Sequence, residues 1–171
     1  MTDEIWDLYD SNGRPTGKTV TRGEPIERGF RHIVVHMWYI DSRGHSLIQQ
    51  RNKPDDGTDG LWFVTGGAVL AGETSLGAAV RETKEELGLT LSEGDFTHVR
   101  RICPTDDDYI LDIWSCRWDG DIDSLRIDPG EVRDVRWATF DEIVEMVDDG
   151  PFWTVSADYL SLLGDWSSKM Q

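Results

Sequence analysis

Glu82, Glu85 and Glu86 stand at i, i+3 and i+4 within residues 66–89, GGAVLAGETSLGAAVRETKEELGL. On a helix that spacing sends three carboxylates out together, from the face opposite Leu76, Ala79, Val80 and Leu87. Neighbouring like charges cost roughly 0.2–0.5 kcal/mol per pair on an isolated helix, and Lys84 is poorly placed to offset them. A divalent cation removes the penalty. Mg²⁺ suits the cluster because it takes one or two carboxylates, keeps several waters and accepts phosphate oxygens. Taken alone, ETKEEL reads as a solvated helix face rather than as a site.

The glycines before the helix suggest a turn and invite a phosphate-loop reading. Gly67-x4-Gly72 followed by Glu73-Thr74 is one residue away from GxxxxGK[ST]. Glutamate stands where lysine should reach the phosphates, which reverses the charge that such a loop requires. The phosphate-loop reading is rejected.

The whole spacing is Gly67-x5-Glu73-x7-Arg81-Glu82-Thr83-Lys84-Glu85-Glu86-Leu87-Gly88-Leu89. It resembles the Nudix box GX5EX7REUXEEXGU, with U aliphatic, of the Nudix hydrolases. Seven fixed residues would coincide by chance on the order of once in 10⁸ start positions. Thr83 departs from the pattern at an aliphatic position on the core face. The resemblance implies an α+β fold, an α/β/α sandwich around a central mixed β-sheet. It also implies hydrolysis of a diphosphate linkage in a nucleoside diphosphate derivative or a related small diphosphate. Carried onto this chain, Glu85 and Glu86 are the main metal ligands, Glu82 is a ligand or the base that orients water, and the Gly67 carbonyl is a further ligand. Arg81 is counted with Glu82 and Glu85 among the catalytic residues, and it pairs with Glu73 to hold the turn against the helix. The implied cofactor is Mg²⁺, with Mn²⁺ as a substitute.

The stretches WDLYDSNGRPTGKTVTRGE, RHIVVHMWYID and EVRDVRWATFDEI are similar to those flanking the box in isopentenyl-diphosphate isomerase-like Nudix proteins, so an isomerase is the alternative. The catalytic cysteine of such isomerases falls on Gly66 here and a neighbouring metal histidine on Ala68. Their later glutamate pair falls near Pro104 and Asp106. His32 matches the family's strand histidine and, with Asp106, is a candidate supplementary ligand. His36 is four strand residues away, roughly 13 Å, too far to share one ion with it. A second alternative is a catalytically silent nucleotide-binding domain, against which the intact box argues.

These residues need elements to position them. Leu76, Ala79, Val80, Thr83 and Leu87 recur at helical spacing, with Thr74 or Ser75 as N-cap and Gly88 as the stop. Asn12-Gly13 predicts a hairpin over about 4–22. A second hairpin is expected around Ser42-Arg43-Gly44, with His32, Val34, His36 and Trp38 on one strand face. Short strands are expected near 61–64 and 68–70, longer ones at 96–103, 109–117 and 132–137. Two helices close the chain within about 140–164, one from Phe140 to about Val147 and one from about Ser156 to Leu163. Trp38, Trp62 and Trp114 read as core or as stacking surfaces.

At 171 residues, 38% hydrophobic, residues 1–171 suit a single domain. A net charge of −16 argues against nucleic acid polymers, whose binding depends on Lys and Arg. It would also repel a phosphorylated substrate unless a cation or an arginine cluster reverses the field locally. The chain shows neither a membrane span nor a signal peptide, which predicts a cytoplasmic protein with a small-molecule partner. Homodimers are common for the resemblance. Cys103 and Cys116 have neither disulfide-framework nor zinc spacing and read as inert core or strand residues.

Overall fold

Asp10 Oδ1 accepts from the backbone N–H groups of Asn12 and Arg14, and Gly13 adopts φ 74°, a conformation that costs other residues steric strain. This turn joins β1 (Ile5–Tyr9) to β2 (Pro15–Thr21), paired antiparallel with Ile5 opposite Thr21. The computed structural model describes residues 4–54, 57–104, 107–154 and 159. The hairpin forms its own two-stranded sheet. It is tied to the body by an isolated bridge between Tyr9 and Arg31 and by a hydrogen bond from Ala71 N to the Ile5 carbonyl.

The second sheet has seven strands: β3 (His32–Ile40), β4 (Ser46–Arg51), β5 (Trp62–Phe63), β6 (Thr65–Ala68), β7 (Phe96–Ile102), β8 (Tyr109–Arg117) and β9 (Val132–Ala138). It is mixed, because β3 and β8 run parallel from His32 opposite Tyr109 to Ile40 opposite Arg117, whereas the other pairs are antiparallel. The expected second hairpin is present only at its root. β3 and β4 share the single pair Ile40–Ser46, after which β4 pairs with β9 and β5.

β6 occupies the edge of β3 that β4 vacates, with Val35 opposite Gly67 and His36 opposite Gly66. The strand expected at 68–70 is therefore shifted to 65–68, and Gly66 and Gly67 belong to a strand rather than to a turn. Val69 and Leu70 carry the stronger strand propensity, yet the bare glycine backbone fits against β3: a Cβ at Gly66 would meet the Val35 carbonyl at 2.8 Å. The turn itself is at Gly72, φ 80°.

α1 (Ser75–Leu87) begins where Thr74 Oγ1 accepts from Gly77 N at 2.9 Å and ends where Gly88, φ 69°, donates to the Lys84 carbonyl. It packs on one face of the sheet through Ala78, Ala79 and Leu87, against Ile33, Val35, Met37, Tyr39 and Leu47. Full burial of a side chain such as Leu87 contributes roughly 2 kcal/mol. Thr83, at the aliphatic position, is also fully buried. Its hydroxyl donates to the Ala79 carbonyl and lies 2.6 Å from the Tyr39 hydroxyl, so both buried oxygens are satisfied.

α2 (Phe140–Asp148), started by a Thr139–Glu142 capping box, covers the other face. Ile143 there meets Trp38, Ile40, Ile48, Ile113 and Tyr159. Helices thus lie on both faces of a mixed sheet, as the resemblance implied. Apart from Tyr159, the second closing helix expected near 156–163 lies outside the described residues. No helix among the described residues is long and apolar enough to cross a membrane. Cys116 is buried in β8, but Cys103, expected in the core or a strand, is exposed just past the end of β7.

Candidate functional site

Arg81 is the hub of the hydrogen bonds that join α1 to the turn before it. Its Nε and Nη2 hold the two oxygens of Glu73 at 3.0 Å each, Nη2 also donates to the Ala68 carbonyl at 2.9 Å, and Nη1 reaches Glu82 at 2.7 Å and Glu85 at 3.0 Å. Burial disfavours the guanidinium charge, but the Glu73 hydrogen bonds and the Glu82 charge outweigh it and raise the Arg81 pKa. Arg81 thus offsets part of the repulsion between Glu82 and Glu85, while Glu86 lies outside its reach and still feels the Glu82 charge.

The three carboxylates are not equally placed. Glu85 is exposed, Glu82 is mostly covered, and Glu86 is buried at 5% exposure. The expectation that all three project opposite the core face fails at Glu86, which follows Thr83 around the helix to the edge of the apolar contact. Its Oε2 accepts from Gln49 Nε2 on β4 at 2.7 Å, and Gln49 Oε1 accepts from Thr65 Oγ1 at 2.9 Å. Desolvation pushes the Glu86 carboxyl up to about 8 against the Gln49 hydrogen bond, and pushes Glu82 up to about 7 against the pull of Arg81.

These side chains form one wall of a cavity of about 440 Å³. Among the lining residues, six carboxylates (Glu4, Glu82, Glu85, Glu86, Asp128 and Glu131) meet four cations (Arg22, Arg51, Lys53 and Arg81). The cations are engaged: Arg22 with Glu4 at 2.7 Å, Lys53 with Glu131 at 2.5 Å, and Arg51 Nε with Thr58 at 2.8 Å. With Glu82 and Glu86 pushed toward protonation, the lining is close to balanced and holds no surplus positive charge, so an added cation would serve to meet a phosphorylated ligand.

The donor set suits Mg²⁺ or Mn²⁺, being all oxygen. No three His, Cys, Asp or Glu side chains among the described residues are grouped as a ready cage, since Arg81 and Gln49 hold the carboxylates. Two features fit a cation nonetheless. Glu82 and Glu86 are carboxylates whose charge is disfavoured by burial, and Gly67 lies so close to the Glu82 carboxylate that a Cβ would overlap it. That approach places the backbone of Gly67 beside a ligand candidate.

His32 lines the same cavity and stacks on Trp6 from the hairpin, centroids 4.3 Å apart at 12°. Its Nδ1 and Trp6 Nε1 are buried without a hydrogen-bond partner. Burial lowers the His32 pKa, so the ring is neutral near pH 7. His36 also borders the cavity but is buried and bonded into the core: its Nδ1 lies 3.0 Å from the Tyr159 hydroxyl, which accepts from Trp38 Nε1. Trp38 is buried, Trp62 packs beside that cluster, and Trp114 donates to Ser75 Oγ. None of the three lines the cavity. Asp106 lies outside the described residues, while Asp107 and Asp108 are exposed.

The structure thus gathers Gly67, Arg81, Glu82, Glu85 and Glu86 on one wall, with Glu73 behind Arg81. Sequence reasoning missed Trp6, Gln49, Arg51, Lys53, Thr65 and Trp153. For Gln49 the sequence carried no signal: it stands beside Gln50 and Arg51 at the polar end of SLIQQR, yet proves only 3% exposed.

The NUDIX domain family matches residues 30–160. The chain is 36% identical over 151 residues to a protein named as an uncharacterized Nudix hydrolase from Listeria innocua, covering 87% of this chain and 88% of that one. It is 29% identical over 140 residues to an isopentenyl-diphosphate Δ-isomerase from Pectobacterium atrosepticum, covering 81% and 78%. A crystal structure of a Deinococcus radiodurans protein superposes with a TM-score of 0.76 at 22% identity, covering 95% of this chain and 98% of that one. At that identity the likeness is one of fold.

Proposed function

The chain belongs to the NUDIX domain family and with it to the Nudix hydrolases, which act on diphosphate-containing substrates, and we propose that it hydrolyses a nucleoside diphosphate derivative or a related small diphosphate with Mg²⁺, or Mn²⁺ as substitute. The observation that carries the reading is the wall formed by Glu82, Glu85 and Glu86 in a cavity whose cations are already engaged by its own side chains. Glu82, Glu85, Glu86 and the Gly67 carbonyl would hold the cation. When bound, it neutralises the diphosphate and acidifies water.

The chain's own residues supply the rest. Arg51 and Lys53, both lining the cavity, would exchange part of their present bonds to Thr58 and Glu131 for the negative charge that spreads over phosphoryl oxygens as the P–O bond to the leaving group breaks. Where Glu82 serves as the base rather than as a ligand, it would take the proton of the attacking water from the place in which Arg81 holds it. The oxygen of that water bonds to phosphorus in line with the departing phosphate oxygen. Arg81 keeps Glu82 and Glu85 in place and is not itself required to touch the substrate. In this reading residues 1–171 act as one domain on a small molecule in the cytoplasm.

Gly66 argues against the isomerase alternative. A Cβ there would lie 2.8 Å from the Val35 carbonyl and 3.0 Å from His36 Cδ2, so the strand leaves no room for a reactive side chain. Ala68 likewise offers no metal ligand. The test is a screen of nucleoside diphosphate sugars, dinucleoside polyphosphates, coenzymes and prenyl diphosphates with Mg²⁺ in ¹⁸O-labelled water. Label in a phosphate product, abolished by excess chelator, is expected. Turnover indifferent to chelator would exclude the metal wall.

A further inference from the structure

Glu86 is the buried member of the carboxylate stripe, and its hydrogen-bond partner lies outside the box. Gln49 reaches it from the middle of β4, where the backbone is paired on both sides, with Val135 of β9 and Phe63 of β5. The two ends of a carboxamide are chemically distinct: NH₂ donates and the carbonyl oxygen accepts. Thr65 Oγ1 donates to the carbonyl end at 2.9 Å, which leaves the NH₂ end for Glu86 Oε2 at 2.7 Å. Gln49, Thr65 and Glu86 are exposed by only 3%, 2% and 5%. Water therefore cannot readily replace either bond.

We propose that Gln49, oriented by Thr65, is a positioning residue for the cation ligand Glu86. The bond to Oε2 fixes the carboxylate plane and leaves Oε1, which no described residue hydrogen-bonds, to the cavity that Glu86 lines. The topology makes this arrangement available. Because β4 parts from β3 after Ile40–Ser46 and β6 fills the vacated edge, the Thr65 side chain meets Gln49 beside α1. Partners of this kind behind a metal ligand typically set affinity by about 10–100-fold. The inference rests on the metal reading of the box, and its test separates the two.

Mn²⁺ binding to the full chain without substrate is followed by calorimetry and by loss of the free-ion paramagnetic resonance signal. Gln49→Leu removes the donor and should weaken Mn²⁺ binding at least ~10-fold. Thr65→Val frees the carboxamide to rotate and should weaken it several-fold, whereas Thr65→Ser, which keeps the donor, should restore the parent value. A merely structural pair would lower the melting temperature and leave the affinity of the folded protein alone. Unchanged Mn²⁺ affinity in folded Gln49→Leu overturns the proposal. If that variant does not fold, unchanged affinity in Thr65→Val does the same. A parent protein that binds no Mn²⁺ overturns the metal reading along with it.

Discussion

Gly67 and Glu82 are in such close apposition that the Glu82 carboxylate fills the place where a side chain on Gly67 would begin. Gly67 sits in an ordinary strand conformation within β6, not at a positive φ. Glycine is required there for space rather than for backbone freedom.

That relationship predicts an uncoupling of activity from stability in Gly67→Ala. The atoms in the way are the end of a flexible side chain, so the fold should yield at little cost and the melting temperature should move by no more than a few degrees. Glu82 would be displaced by about 1 Å or more, and misplacement on that scale costs on the order of 10²-fold in rate. Full activity in Gly67→Ala would refute the placement of Glu82 at the reacting centre.

Arg81 and Glu85 should separate the structural from the chemical. Arg81→Ala strands Glu73 and Glu82, both largely covered, and should lower stability by about 2–4 kcal/mol, a fall of roughly 5–15 °C in melting temperature. Glu85→Gln loses only a pair in which the carboxylate is more than half exposed, a contribution of about 0–1 kcal/mol. Its kcat should nevertheless drop at least ~10³-fold, the effect of losing about 4 kcal/mol of transition-state stabilisation. Parent-like melting of Arg81→Ala would show that the hub is not structural.

The buried carboxyls make the metal-free protein lose stability with alkalinity. Desolvation raises Glu82 to about 7 and Glu86 to about 8 from ordinary values near 4.5. Between those limits the folded state holds more protons than the unfolded state, so stability falls as pH rises. The loss should begin above about pH 4.5 and level off past about pH 8. Glu86→Gln should flatten the upper part of that slope. Melting curves in chelator from pH 5 to 9 check it, and a rising slope would contradict the penalty that burial places on the charged forms of these two groups.

Isopentenyl diphosphate distinguishes the two enzyme classes. Isomerisation requires an acid and a base across a carbon skeleton, and Gly66 has neither a side chain nor the space for one. In heavy water the protein should place no deuterium on carbon and release no dimethylallyl isomer. Isomer formation abolished by mutating His32 would instead promote the isomerase.

The sequence alone determined what depends on local periodicity. The box spacing placed α1 and its caps at Thr74 and Gly88, because helix ends are set by residues within one turn of them. Asn12-Gly13 placed the first hairpin for the same reason. The chemistry was legible too, since Arg81, Glu82, Glu85 and Glu86 lie within six residues of one another and a helix converts spacing directly into direction.

Tertiary structure decided everything that needs a second element. Helical spacing placed Glu86 with its neighbours on a solvent face, but β4 closes over it and supplies Gln49 from 37 residues away. Gly66 and Gly67 read locally as a turn, yet they lie in a strand because β3 offers an edge that only side-chain-free backbone can approach so closely. Thr83, locally a misfit in the core, is accommodated by the Tyr39 hydroxyl. In each case the deciding partner is distant in sequence, and its approach is governed by burial, which no short window of residues encodes.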